Sequence, residues 1–205
     1  IVGNSPYVKY QDLNDENRDY LIKNWKTIET GTFNLYFAFF ELAYNLLTAN
    51  GKLGYITPNN YFTSLAGLSL RQFFLQNKCL TRILDFRHKK VFDAQTYTAI
   101  TFANKNNNES ILFDNIHDTQ NCKEFLLSAN GSLNSIKNLN VKKWRLLKTK
   151  EQENIKIIET IGTPIKKLFN IAVGIATLKD KVFFVDSESE KNGYLTKTTE
   201  NGTFL

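Results

Sequence analysis

Apolar positions recur along the chain in two rhythms, one helical and one extended. Ile1–Gly3 is apolar and reads as the end of a buried strand, Lys9–Asn17 as a polar loop, and Glu16–Trp25 as helical. Between Asn34 and Thr48, Leu35, Phe39, Leu42 and Leu46 form one stripe, and Tyr36, Phe40, Ala43 and Leu47 the next. A double stripe predicts a helix buried over much of its circumference. Asn50-Gly51 supplies its stop. Lys52–Ile56 is a β-rich run halted at Pro58 and predicts a strand. Ser64–Gln76 predicts a second amphipathic helix that buries Leu65, Leu68, Phe73 and Leu75. Thr81–Phe86, Tyr97–Ala103 and Ile111–Phe113 read as strands, with a polar turn at Asn104–Asn108.

Strand–helix–strand–helix–strand order implies an α/β fold with parallel strands and crossovers. The link from Phe86 to Tyr97 is too short for a crossover helix, so those two strands should pair antiparallel. Asn130–Asn140 is rich in Asn, Ser and Gly and marks a boundary, giving domains 1–138 and 139–205. Beyond it, Ile155–Ile161 reads as a helix, and Ile171–Val173 and Val182–Val185 as strands. No internal repeat is evident.

Composition narrows the class. Hydrophobic residues make up 42% of 205, enough for a sizeable core. The net charge of +6 suits a polyanionic partner without identifying one. Cys79 and Cys122 stand apart, with no metal-ligand spacing, so neither a disulfide framework nor a metal site is expected. No apolar run has the length of a membrane span and no signal peptide is present, which points to the cytoplasm. The chain has no Met, opens as if in mid-strand and stops at Thr198–Leu205 without a closing element. It is therefore expected to be a piece of a longer protein, with an apolar strand edge near Ile1–Gly3 prone to self-association.

The candidate chemistry lies at Asn4-Ser5-Pro6-Tyr7. An amide oxygen and the next backbone carbonyl can accept the two hydrogens of an exocyclic amine, while an aromatic ring stacks on the base. Taken alone, the four residues also read as a turn after a strand with a core tyrosine. His88, Lys89 and Lys90 read as a solvated loop whose lysines suit phosphate contacts. Asp85 reads as a polar strand terminus. Lys142, Lys143, Arg145, Lys148 and Lys150 cluster around Trp144, which by itself describes a solvated face.

Several segments in order resemble the gamma-class DNA adenine-N6 methyltransferases of bacterial restriction–modification systems. They are Asn4-Ser5-Pro6-Tyr7; Asn34-Leu35-Tyr36 with Glu41 and Leu46-Leu47; Leu53-Gly54-Tyr55-Ile56-Thr57-Pro58-Asn59; Val91-Phe92 with Tyr97-Thr98-Ala99-Ile100; and Pro164–Leu168 with Gly174-Ile175-Ala176-Thr177 through Phe183-Phe184-Val185. Ser5 departs from the family's pattern, which has proline there. The resemblance implies part of a Rossmann-like methyltransferase sheet with an antiparallel C-terminal hairpin, followed by the start of a target-recognition domain. It implies S-adenosylmethionine as methyl donor, with the family's glycine-rich cofactor motif lying upstream of these residues. It also implies double-stranded DNA as substrate, a base flipped onto Tyr7 with Phe92 as second aromatic contact, and a restriction subunit or fused nuclease as partner. A cytosine-N4 or other amino-methyltransferase, or a degenerate DNA-binding module, remains as an alternative.

Overall fold

The first strand contributes only three residues and lies at one edge of the main sheet. The computed structural model describes residues 1–28, 32–93, 96–172 and 174, and the backbone of 190–191, 194–195, 197–199 and 202–204. Two units are described separately, Ile1–Ile158 and Glu159–Leu205.

In the first unit, strands β1 (Val2–Asn4), β2 (Leu53–Pro58), β3 (Leu80–Asp85), β4 (Thr98–Ala103), β5 (Ser110–Asn115) and β6 (Ser132–Ser135) form one sheet. Its order is β1-β2-β4-β3-β5-β6. β1 pairs parallel with β2, and β3 with β5. β4 runs antiparallel between β2 and β3, and β6 antiparallel to β5. The α/β class and the antiparallel pairing of β3 with β4 are thus as the sequence predicts. The sheet is mixed because the short β3–β4 link forces a reversal.

Four helices of this unit are α1 (Asp15–Asn24), α2 (Tyr36–Leu46), α3 (Leu68–Asn77) and α4 (Cys122–Ser128). Asn14 caps α1 by accepting from the Asn17 N–H at 2.9 Å. A reciprocal capping box between Asn121 and Glu124 starts α4. The main core joins α2 and α3 to one sheet face through Tyr36, Phe37, Phe40, Leu70, Phe73 and Phe74. Each such side chain stabilises the fold by about 1.5–3 kcal/mol as an upper bound. On the opposite face, α4 brings Phe125 against Leu84, Phe86 and Ile116.

Some expectations need correction. Only one predicted stripe of α2 is buried: Tyr36, Phe40, Ala43 and Leu47. Leu35 and Phe39 are half-buried, while Leu42 and Leu46 are exposed, because α2 packs on one side of a single sheet. Leu65 is 85% exposed, since α3 begins three residues after it. Asn130–Asn140 does not divide the two units, which part at Ile158 and Glu159. It contains β6, where Asn134 is buried and exchanges hydrogen bonds with the backbone of Leu147. Residues 139–158 pack with the first unit, and Trp144 is buried against Tyr61 and Phe74. The helix expected over Ile155–Ile161 starts earlier, as α5 (Thr149–Ile161).

The second unit contains α6 (Ile165–Leu168) and two short hairpins. One joins β7 (Glu190–Lys191) to β8 (Tyr194–Leu195), the other β9 (Lys197–Thr199) to β10 (Gly202–Phe204). Ile171 and Ala172 are outside any strand. Val173, Ile175-Ala176-Thr177 and Val182–Val185 lie outside the described residues.

Candidate functional site

β1 ends at Asn4, and the chain leaves the sheet there as Ser5-Pro6-Tyr7. β1 reaches this position because Gly3 faces Tyr55 across the β1–β2 pairing: a Cβ on Gly3 would lie 2.9 Å from the Tyr55 ring. Asn4 pairs with Ile56, the last pair at the carboxyl end of the parallel pairing of β1 with β2. Crevices outside the carboxyl ends of parallel strands are where open α/β sheets bind ligands. Asn4 is exposed, and its side-chain amide makes no hydrogen bond among the described residues.

Ser5 is buried, and its hydroxyl has no hydrogen-bond partner among the described residues. Pro6 is exposed. Tyr7 is half-buried and donates from its hydroxyl to the Ile56 carbonyl at 3.3 Å. Its ring meets Tyr36 edge-on at 6.4 Å between centroids. Burial pushes the Tyr7 phenol above its ordinary range. After Tyr7 the chain is pinned to the start of α2, where the Leu35 N–H donates to the Val8 carbonyl at 2.8 Å.

The loop between β3 and β4 emerges at the same edge of the sheet, because β3 runs parallel to β2 and ends there. It carries His88, Lys89, Lys90 and Phe92; Ala94 and Gln95 lie outside the described residues. Phe92 is 38% exposed, as a ring able to contact a ligand must be. The loop is moored to the segment after β5. His88 Nε2 lies 3.4 Å from Asp118 Oδ1, and Lys89 Nζ donates to the Asp118 carbonyl. Lys89 is therefore engaged with protein, whereas Lys90 is exposed with its side chain unpaired among the described residues.

Lys142, Lys143 and Arg145 are exposed around the buried Trp144. Trp144 donates from its backbone to the Phe62 carbonyl at 2.8 Å, which fixes the basic segment to the turn that follows β2. Lys148 is engaged by Asp114 at 3.1 Å and by the Asn115 carbonyl.

Sequence reasoning missed a polar network at the end of β2. Tyr36 donates to Asn60 Oδ1 at 2.8 Å, and the Asn59 side chain donates to Asp85 Oδ1 at 2.8 Å. Burial raises the Asp85 carboxyl above the usual carboxylate range, opposed by the bonds from Asn59 and the Arg87 N–H. The available signal was two consecutive asparagines after Pro58 at a strand end. A separate open groove, lined by Lys52, Leu53, Thr81, Arg82, Phe102, Ala103 and Asn104, lies at the other end of the sheet, away from Asn4.

No glycine-rich turn follows a strand among the described residues: β1 to β5 are followed by Ser5, Asn59, Phe86, Asn104 and Ile116. The described strand ends thus offer no phosphate- or nucleoside-cradling turn of the kind that cofactor sites use.

Residues 1–92 match the Eco57I restriction-modification methylase family. The Type II restriction enzyme and methyltransferase RM.Eco57I of Escherichia coli is 30% identical over 95% of this chain, which spans 20% of that enzyme's length. The Type II methyltransferase M.BanIII of Aneurinibacillus aneurinilyticus is 33% identical over 54% of the chain and 19% of its own length. Among solved structures, a DrdV–DNA complex shares the fold over 70% of this chain and 18% of its own, with a TM-score of 0.53 at 14% identity.

Proposed function

We propose that the chain, whose residues 1–92 match the Eco57I restriction-modification methylase family, forms the base-binding side of a DNA adenine-N6 methyltransferase. The observation that carries the proposal is Asn4. It stands exposed at the end of β1 with an amide that has no partner among the described residues, three residues before a half-buried tyrosine.

An adenine N6 lone pair is delocalised into the ring and attacks poorly. Two acceptors on its hydrogens favour a tetrahedral nitrogen with a localised lone pair. Asn4 Oδ1 and the Ser5 carbonyl are those acceptors. Pro6 keeps Ser5 extended, which fixes the direction of its carbonyl. Positioning and preorganised polar groups then supply the protein's share of the acceleration. S-adenosylmethionine, when bound, supplies an electrophilic methyl group; the residues here act on the acceptor alone.

A base inside a duplex is out of reach, so the adenine is flipped out. Tyr7 stacks on one face and Phe92 meets the other side, each contact worth roughly 1–3 kcal/mol. Lys90, Lys142, Lys143 and Arg145 lie on phosphates, and Lys89 holds its loop while adding charge there. The segment that reads the DNA site begins within residues 139–205. A restriction activity in the same full-length protein fits the relative RM.Eco57I, whose name joins both functions.

The test is nucleoside analysis of DNA treated with the full-length protein and S-adenosylmethionine. N6-methyladenine supports the reading, N4-methylcytosine redirects it to the other base, and no methylated base despite DNA binding supports a non-catalytic module.

A further inference from the structure

One residue at the end of β2 holds both feet of the loop that carries Phe92. The Asn59 side-chain amide donates to Asp85 Oδ1 at 2.8 Å, and Asp85 is the last residue of β3. The Asn59 backbone N–H donates to the Tyr97 carbonyl at 3.0 Å, just before β4 begins. Asp85 Oδ1 also accepts from the Arg87 N–H at 2.9 Å. That bond closes a turn in which Arg87 takes a left-handed backbone, φ 50°, uncommon for a side chain of its kind.

The same stretch of β2 grips the motif. The Ile56 carbonyl accepts from Tyr7, and Asn60 Oδ1 accepts from Tyr36, whose ring meets Tyr7 edge-on. Residues 56–60 thus bond to the motif on one side and to the loop on the other. A polar strand terminus needs nothing of this kind, since water would satisfy an exposed carboxylate. Asp85 instead gives up much of its hydration to hold one asparagine and one turn.

We propose that Asn59 and Asp85 are a positioning pair that sets the Phe92 loop at a fixed distance from Asn4 and Tyr7, so that the two aromatic residues close on one extruded base. This rests on the base-binding reading above. The pair touches no substrate. It acts through Phe92, and its loss shows in how the base is held rather than in how DNA is gripped.

The experiment uses the full-length protein, with its recognition site first read from methylated DNA. Wild type is compared with Asn59→Asp, Asn59→Ala and the swap Asn59→Asp with Asp85→Asn. The readouts are kcat, duplex affinity, and the fluorescence of 2-aminopurine at the target position. Asn59→Asp sets two carboxylates against each other, and kcat falls on the order of 100-fold. Duplex affinity stays within about threefold of wild type, because phosphate contacts carry it. The 2-aminopurine signal reports an extruded base no longer stacked. The swap rebuilds an amide–carboxylate pair and restores kcat to within about tenfold of wild type. Asn59→Ala adds no charge, so a folding failure of Asn59→Asp leaves the comparison intact.

Wild-type kcat and fluorescence in both single variants overturn the pair, as does a swap as slow as Asn59→Asp. A wild-type protein that binds DNA and methylates no base overturns the underlying reading instead.

Discussion

The hydroxyl of Tyr7 donates to the carbonyl of Ile56 at 3.3 Å, and Ile56 is the residue paired with Asn4 across β1 and β2. One backbone position thereby ties together both ends of the Asn-x-Pro-Tyr segment. Tyr7 has two separable functions, a stacking surface and a tether. Tyr7→Phe removes only the tether, a neutral hydrogen bond worth about 0.5–1.5 kcal/mol, and lowers kcat/KM by roughly 2- to 10-fold. Tyr7→Ala also removes the ring, with a further loss of roughly 1–3 kcal/mol. Methyl transfer to genomic DNA measures both. Equal losses in the two variants would show that stacking contributes nothing.

Ser5 has a buried hydroxyl without a partner among the described residues. An unmet buried polar group costs about 1–3 kcal/mol. Ser5→Ala therefore stabilises the protein by about 1 kcal/mol in urea unfolding, with little change in rate, because the acceptor in this reading is the main-chain oxygen. Ser5→Pro removes unfolded-state freedom worth about 0.4–1 kcal/mol and raises kcat by less than a hundredfold. A larger gain would mean that the missing proline does more than restrict the chain.

How much of this could be read from the sequence differs by element. The helix and strand runs were legible because α2, β2, β3 and β4 keep their periodicities and β2 ends at Pro58, whereas α2 stops at Leu46, with Leu47 extended, before the expected Asn50-Gly51. Which stripe of α2 is buried was not legible, since Leu42 and Leu46 look as apolar as Ala43 and Leu47. β6 was missed because Ser132–Ser135 has the polar composition of a loop, and what holds it is Asn134 bonded to Leu147, a contact 13 residues away. The Asn4–Tyr7 segment was legible as a motif. The Asn59–Asp85 pair was not, because its two members are 26 residues apart and meet only once the sheet has formed.

Arg71 is wholly buried and donates to the carbonyls of Tyr61, Ser64, Val141 and Lys142. It joins α3 to the segment that carries Trp144 and the exposed basic residues. Hydrogen bonds from a charged donor contribute about 1.5–3 kcal/mol each, so Arg71→Ala destabilises the first unit by about 3 kcal/mol or more. Arg71→Lys recovers only part, since an ammonium lacks the planar fork that reaches four acceptors. Urea midpoints of the two variants check this, and a loss within experimental error would contradict it.

Two aspartates give opposite pH responses. Burial raises Asp114, but the bonds from Lys148 and from the Gly131 and Asn115 N–H groups outweigh it and hold the carboxyl below its ordinary value. Its stabilising effect is present above the unfolded pKa of about 3.9 and is lost as pH falls through the folded one. Asp114→Asn thus costs up to about 1 kcal/mol at neutral pH, and the difference shrinks below about pH 4. Asp85 is raised by burial, so its effect has the other sign: stability is full at low pH and lost as pH rises through the folded value. Asp85→Asn therefore gains on wild type as pH rises above the unfolded carboxylate value of about 3.9. Thermal unfolding across this range measures both, and a common slope would contradict the assignment.

The central claim is that Asn4 Oδ1 accepts a hydrogen bond from the N6 amine of an extruded adenine. The most direct measurement is mass spectrometry of nucleosides from DNA incubated with S-adenosylmethionine and either the full-length protein or its Asn4→Ala variant, each folded and bound to DNA. The account predicts N6-methyladenine with the unaltered protein and a loss on the order of 100-fold or more with Asn4→Ala. N6-methyladenine formed equally by both would contradict it.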